Sequence, residues 1–321
     1  MIDPLARWGI GDKPDYAGLL TFGGLPYTED RDELAGIDVA IVGAPTDDLV
    51  SDRPGTRYGP RAIRAASCPP GPHLEAGVDA FAELRMVDFG DAPVIPADPG
   101  RSHDAIERTV AQVVAAGAIP IVLGGDHSIA EPDLRACART HGPLGLVHLD
   151  THTDTGTEVF GVEISHGTPM YRLVETGHVQ PDRYVQIGLR GYWPGEAEFG
   201  WQRERGITSF FMHDVRDRGI EEIVARTLEI VGAGPAYLSV DIDVLDPAFA
   251  PGTGTPEPGG MTTVELLLAA RMLADGLDLV GAELVEVLPT AVGSADITAL
   301  AGERVVREIL TGIALRRKRS A

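Results

Sequence analysis

Leu144-Gly145-Leu146-Val147-His148-Leu149-Asp150-Thr151-His152-Thr153-Asp154 begins as an apolar run and ends in a burst of ligand-type side chains. A strand with one solvated face would alternate polar and apolar residues; a nearly continuous apolar run instead predicts a strand covered on both faces. Similar runs recur along the chain and predict strands at Val39–Val42, Leu84–Asp88, Ile119–Leu123, Leu144–Asp150, Tyr184–Leu189, Thr208–Met212, Ala236–Asp241 and Leu279–Glu286. Between them, segments of helical period predict helices at His103–Ala116, Ala130–Thr140, Ile220–Val231, Thr263–Asp275 and Ile297–Leu315. This alternation predicts an α/β protein of three layers, α/β/α, with a mostly parallel central sheet. The Pro/Gly-rich stretches Ser67–Pro72 and Pro247–Gly260 separate no two complete sets of elements. Residues 1–321 are therefore expected to form a single domain, with residues 1–35 as an N-terminal extension packing on it. A ligand site then belongs beyond the C-terminal ends of the parallel strands.

The bulk properties narrow the classes of partner. The chain has 321 residues, is 44% hydrophobic and 23% charged, and carries a formal net charge of -21. A surface so negative repels phosphate backbones and anionic lipid headgroups, which argues against nucleic-acid and membrane partners. No apolar run approaches the roughly 20 residues that span a bilayer. Met1-Ile2-Asp3-Pro4 lacks the basic and apolar regions of a signal peptide. Two cysteines, Cys68 and Cys137, are too few for a disulfide framework. A cytoplasmic protein is expected, with Arg316-Arg317-Lys318-Arg319 as a solvated helix end complementing the helix dipole.

Three strand ends carry the metal-binding types of side chain. Ile119–Leu123 runs into Gly124-Gly125-Asp126-His127-Ser128, Leu144–Leu149 into Asp150-Thr151-His152-Thr153-Asp154, and Ala236–Val240 into Asp241-Ile242-Asp243. On an extended segment, positions i, i+2 and i+4 share a face, so Asp150, His152 and Asp154 are expected to converge, as are Asp241 and Asp243. Gathering these acids without a cation would cost repulsion and desolvation. Four carboxylates balance two divalent ions, and two imidazoles add neutral ligands. Two such ions about 3.5–4 Å apart can share a hydroxide that is a strong nucleophile at neutral pH. Mixed carboxylate and imidazole ligation suits Mn(II) without excluding Ni, Co, Fe or Zn.

In combination, Gly124–Ser128, Asp150–Asp154 and Ser239-Val240-Asp241-Ile242-Asp243 resemble the three signatures of the ureohydrolase (arginase/agmatinase) family. The similarity runs from about Val39 to Ala314. It takes in Arg53–Arg61, His166-Gly167-Thr168-Pro169 and Asp246–Gly254, which are more similar to the agmatinase branch than to arginase. The resemblance implies an arginase-like fold and a binuclear-metal hydrolase that releases urea from a guanidino compound. It implies one ion held by His127, Asp150, Asp154 and Asp241, and a second held by His152, Asp150, Asp241 and Asp243, most naturally two Mn2+. His166 matches a proton-shuttling histidine, Glu286 the glutamate that holds the guanidinium, and Asp154 can pass a proton to the departing nitrogen. It further implies a homo-oligomer, trimeric or hexameric.

Agmatine, hydrolysed to putrescine, is the first substrate suggested; 4-guanidinobutyrate or another guanidino acid is the alternative. A cationic tail calls for acids such as Asp47 and Asp48 nearby, and a carboxylate tail for Arg or backbone donors. Thr151 stands where the family usually has Ala. Val287–Val292 replaces a Pro-Pro-aromatic-Asp run, and Thr46–Val50 is unusual as well. Both loops are expected to border the pocket. A deacetylase on the same fold needs only one zinc and not the full ligand set, and a non-catalytic homologue would have lost ligands. His148 shares the parity of Asp150 and is expected beside the site without ligating. His73, His103, His141, His178 and His213 are expected to be structural or solvated, and the arginines of Arg53–Arg61 to serve packing, subunit contacts or helix entry. Gly252–Gly260 lacks the P-loop and Rossmann patterns, so no nucleotide site is expected.

Overall fold

The computed structural model describes residues 17–68, 71–289 and 296–320. One eight-stranded sheet has the order β2-β1-β3-β8-β7-β4-β5-β6. Its strands are β1 Val39–Ala44, β2 Met86–Asp91, β3 Ile119–Gly124, β4 Leu144–Leu149, β5 Val179–Leu189, β6 Thr208–Phe211, β7 Pro235–Asp241 and β8 Asp278–Val285. Every pairing within the sheet is parallel, stricter than the expected "mostly parallel". Strands β1 and β4 are buried at every position, β3 and β7 at all but the first. Helices cover both faces, and that is why the apolar runs do not alternate.

On one face lie α1 Gly59–Ala66, α2 Ala80–Glu83, α8 Ile220–Val231, α9 Thr263–Gly276 and α10 Ile297–Ser320, with α7 Met212–Arg218 packed beside α8. On the other lie α3 Pro99–Ala115, α4 Ala130–His141 and α5 Pro169–Glu175. Helix α6, Glu196–Arg205, joins this second layer where Trp201 meets Tyr171. Each layer has its own apolar core against the sheet. The predicted helices are present, most of them longer than expected. The short helices α1, α2, α5, α6 and α7 are not among the expected ones, because helices of one to three turns carry too little periodicity. The sixth strand stops at Phe211, one residue short of its predicted end, where the Phe211 N–H is taken by Asp214 at 2.8 Å and α7 begins.

The described part of the N-terminal extension packs along β2. Phe22 N–H donates to Asp88 Oδ2 (2.8 Å), and Asp88 N–H to Pro26 O (2.8 Å). The rest of that expected extension, residues 1–16, lies outside the described residues, as do residues 290–295 of the unusual loop after Glu286. Arg64 of α1 donates to both Asp88 oxygens (2.8 and 2.9 Å) and to Asp91 (2.6 Å), locking α1 to β2. The basic C-terminal turn is largely exposed, as expected, and is also paired. Arg316, Arg317, Lys318 and Arg319 pair with Asp278, Asp38, Glu83 and Asp275.

Candidate metal centre

Strands β3, β8, β7 and β4 are neighbours in that order, and the chain leaving each one delivers the ligand-type residues. They do not converge by strand parity. After β4 ends at Leu149, Asp150 N–H reaches back to Ile187 O of β5 (3.0 Å), and Asp154 takes a left-handed backbone, φ 49°. After β7, Ile242–Val244 forms a 3-10 turn in which Asp243 N–H donates to Asp241 Oδ1 (2.8 Å). Tight turns, not the pleat, gather the carboxylates. Two glycines permit the close approach. A Cβ on Gly125 would stand 1.7 Å from Thr46 O, and one on Gly188, at φ +113°, would stand 2.8 Å from Asp150 O.

His127 Nδ1 is the centre of the arrangement. It lies 2.9 Å from Asp154 Oδ2, 3.1 Å from Asp150 Oδ2 and 3.3 Å from Asp241 Oδ2, yet it is buried and makes no hydrogen bond to any of them. His152 Nδ1 lies 3.0 Å from Asp243 Oδ2 and 3.6 Å from Asp150 Oδ1. Among the described residues two donor groups result, His127-His148-Asp150-Asp154 and Asp150-His152-Asp243, with Asp150 common to both. Donors about 2.1 Å from one ion and at right angles stand about 3 Å apart, so these spacings fit shared ions better than hydrogen bonds. The donor set, oxygen with imidazole nitrogen and no thiolate, suits divalent manganese or its neighbours.

The charge balance gives the same answer. Burial, the largest effect, works against protonation of His127, yet Asp150, Asp154 and Asp241 push its pKa well above the usual imidazole value. Burial opposes His152 likewise, and Asp243 and Asp150 overcome it. Burial and the neighbouring Asp243 and Asp150 raise Asp241, while burial and Asp150 raise Asp243 to about 6. Such strain among buried acids is what divalent cations relieve.

The supporting residues are specific. His148 gives Nε2 to Asp150 Oδ2 (2.7 Å) and holds Tyr184 OH through Nδ1 (3.0 Å), so both ring nitrogens are engaged at the site. His127 Nε2 meets Ser239 Oγ at 2.9 Å, a partner of the kind that fixes a ligand's tautomer. Glu286, also left-handed at φ 61°, uses Oε1 to accept the His127 N–H (2.9 Å) and to meet His166 Nδ1 (3.0 Å), leaving Oε2 buried and unpartnered. Two demands on His166 conflict. Burial opposes its charge while Glu286, Asp154 and Asp126 raise its pKa to about 9, but Ser51 N–H donates to Nε2 (3.1 Å), which only an unprotonated nitrogen accepts. The main-chain contact decides for a neutral ring, and cations beside Asp154 would push the same way.

Several site residues had no expected role. Asp126, raised to about 6 chiefly by burial and by Glu286, accepts the N–H groups of Leu49 (3.2 Å) and Ser128 (2.9 Å) and so anchors the loop after β1. Its place inside Gly124–Ser128 was the available signal. Asp47 and Asp48 are not free to meet a substrate: both are taken by Arg57, and Asp47 also accepts the Gly55 N–H. That corrects the expectation for a cationic tail. The remaining histidines serve elsewhere; His73 binds Glu308 (3.0 Å) and His103 binds Ser128 (2.9 Å). A cavity of about 450 Å3 opens onto the centre past Asp154, Glu158, Phe160, His166, Trp193 and Glu198, and among the described residues no Lys or Arg lines it.

The description of the arginase family matches residues 37–312. The chain belongs to the arginase family. It is thereby a metal-dependent hydrolase of guanidino C–N bonds, and the parallel eight-stranded sheet is that of the arginase-like fold. Among the relatives of this family member, guanidinopropionase of Pseudomonas aeruginosa is 44% identical over 313 residues, 96% of either chain. Mitochondrial agmatinase of Gallus gallus is 41% identical, covering 86% of this chain and 81% of the other. The structure of proclavaminate amidino hydrolase from Streptomyces clavuligerus superposes with a TM-score of 0.88 at 37% identity, over 95% of this chain and all of that one (100%).

Proposed function

We propose that this arginase-family enzyme releases urea from a linear guanidino compound carrying a second positive charge, agmatine first, giving putrescine. The observation that carries the reaction is His127 Nδ1 facing three carboxylates without a hydrogen bond, with Asp150 common to a second donor group. Asp150, Asp154, Asp241 and His127 would hold one ion, and Asp150, Asp241, Asp243 and His152 the other. Two Mn2+ ions are our reading, with Ni2+ or another divalent ion as alternatives. When bound, such a pair supplies a hydroxide nucleophile from water at neutral pH.

The chain's own groups do the rest. Glu286 Oε2, buried and unpartnered, accepts an N–H of the planar guanidinium and holds its carbon at the centre. Asp154, at the cavity wall, carries a proton to the departing nitrogen, without which the tetrahedral carbon cannot expel an amine. His166 also lines the cavity and moves protons to solvent past Ser51.

Glu158 and Glu198 stand at the cavity wall, and among the described residues no Lys or Arg lines it. A carboxylate tail would meet like charge there. The guanidino-acid reading keeps the support of several relatives, the guanidinopropionase at 44% identity among them. Urea release from agmatine, 4-guanidinobutyrate, 3-guanidinopropionate and arginine separates the two. A kcat/KM for agmatine at least about tenfold above the acids supports the cationic tail, and the reverse order replaces it. Among the described residues no helix is long and apolar enough to cross a membrane. We further infer a single-domain, cytoplasmic chain assembling as a homotrimer or homohexamer, which light scattering would test.

A further inference from the structure

Arg190, directly after β5, is half-buried and has no carboxylate partner among the described residues. Its guanidinium is instead surrounded by main-chain oxygens. Nη2 donates to Asp243 O (2.8 Å), Leu245 O (3.2 Å) and Glu257 O (2.6 Å). Nη1 donates to Val244 O (3.2 Å) and Gly188 O (3.3 Å), and Nε to Glu257 O (3.0 Å) and Pro258 O (3.3 Å). Its backbone N–H donates to Thr151 O (3.2 Å), between Asp150 and His152.

We propose that Arg190 is a positioning residue for the half of the metal centre built on Asp243 and His152; the inference rests on the reading of the site given above. The 3-10 turn after β7 leaves a row of carbonyls beyond the sheet, of which Val244 O also takes the Met261 N–H (3.0 Å). A planar group with five N–H donors can satisfy that row and reach the returning loop as well, which a lysine ammonium cannot. Carbonyl acceptors also let a cation sit beside the centre without drawing a carboxylate away from it. By gripping the turn and the loop together, Arg190 sets more than Asp243. The same loop brings Thr255 Oγ1 to 3.5 Å from Asp243 Oδ2, and a Cβ on Gly254 would stand 3.5 Å from Glu286 Oε2. His127 and Asp154 hang on other elements and touch none of this clamp. Loosening it therefore weakens one ion selectively.

The test uses Arg190→Met, Arg190→Lys and Gly260→Ala. The last keeps the guanidinium but places a Cβ 2.6 Å from Nη2 and 2.5 Å from Asp246 N, so it disturbs the same clamp from the other side. Each full-length protein is titrated with Mn(II), with bound metal counted and the electron paramagnetic resonance spectrum recorded. We expect two ions and an exchange-coupled spectrum from the unsubstituted chain. The variants should hold one ion tightly, show the six-line signal of isolated Mn(II), and bind the second roughly 10- to 100-fold more weakly. Variants that bind two ions with unchanged affinity, whatever their melting temperature, would overturn the proposal by reducing Arg190 to a structural role. Full affinity in Arg190→Lys would also overturn it, since charge alone would then suffice. If Arg190→Met does not fold, the other two variants still decide. An unsubstituted chain that takes up no pair of ions would instead remove the site reading itself.

Discussion

Glu286 shows how much a single side chain is asked to do. One oxygen ties the His127 backbone and the His166 ring together, and the other is buried with nothing to accept from. Glu286→Gln keeps the shape but removes the charge that pairs with a guanidinium. A charge-assisted hydrogen bond is worth about 1.5–3 kcal/mol, so kcat/KM for urea release should fall roughly 10- to 100-fold with both ions retained. Loss of metal in that variant would mean that Glu286 serves the centre rather than the substrate. On the cavity wall, Glu198→Gln should raise the KM for agmatine about twofold to fivefold. It should leave the uncharged analogue butylguanidine unaffected, since a half-exposed ion pair contributes about 1 kcal/mol at most. Equal effects on both compounds would remove the proposed tail contact. The ligand-type residues were legible in the sequence because their chemistry is costly anywhere else. The turns that bring Asp154 and Asp243 into place were not, since a left-handed aspartate leaves no periodic trace. Nor could the sequence tell that Arg57 occupies Asp47 and Asp48.

At the scale of elements, two buried polar groups tie helices to the sheet. Arg64 joins α1 to β2 through Asp88 and Asp91. Arg64→Met leaves the buried Asp88 carboxylate without its cation and should destabilise the fold by about 3–5 kcal/mol, read from the denaturant midpoint. A change below about 1 kcal/mol would mean that the main-chain donors to Asp88 suffice. His103 of α3 meets Ser128 at the start of the turn after β3. Burial, helped by Arg135 and Arg172 against Glu131, pushes its pKa down to about 4. The folded state thus favours the neutral ring. Its contribution is complete above pH 6.5 and is lost as the pH falls from 6.5 to about 4, on the order of 3 kcal/mol in all. An imidazole resonance assigned through His103→Gln should stay unshifted until about pH 4, and titration near 6.5 would contradict this. Long elements were legible from period and apolar runs; α2, α5 and α7, each too short to show a period, owe their places to packing.

For the whole molecule, sheet order does the functional work. Placing β8 and β7 between β3 and β4 brings together four strand ends that are scattered along the sequence. Alternation of runs implied the layers and the side on which a site forms, but strand order depends on crossovers that a single sequence does not display. The most direct test strips the protein with a chelator and follows urea release from agmatine as Mn(II) is added back. The stripped protein should show no activity, with recovery that saturates at two equivalents per chain. Full activity after stripping, or saturation with both ions bound and no urea from any guanidino compound offered, would contradict this.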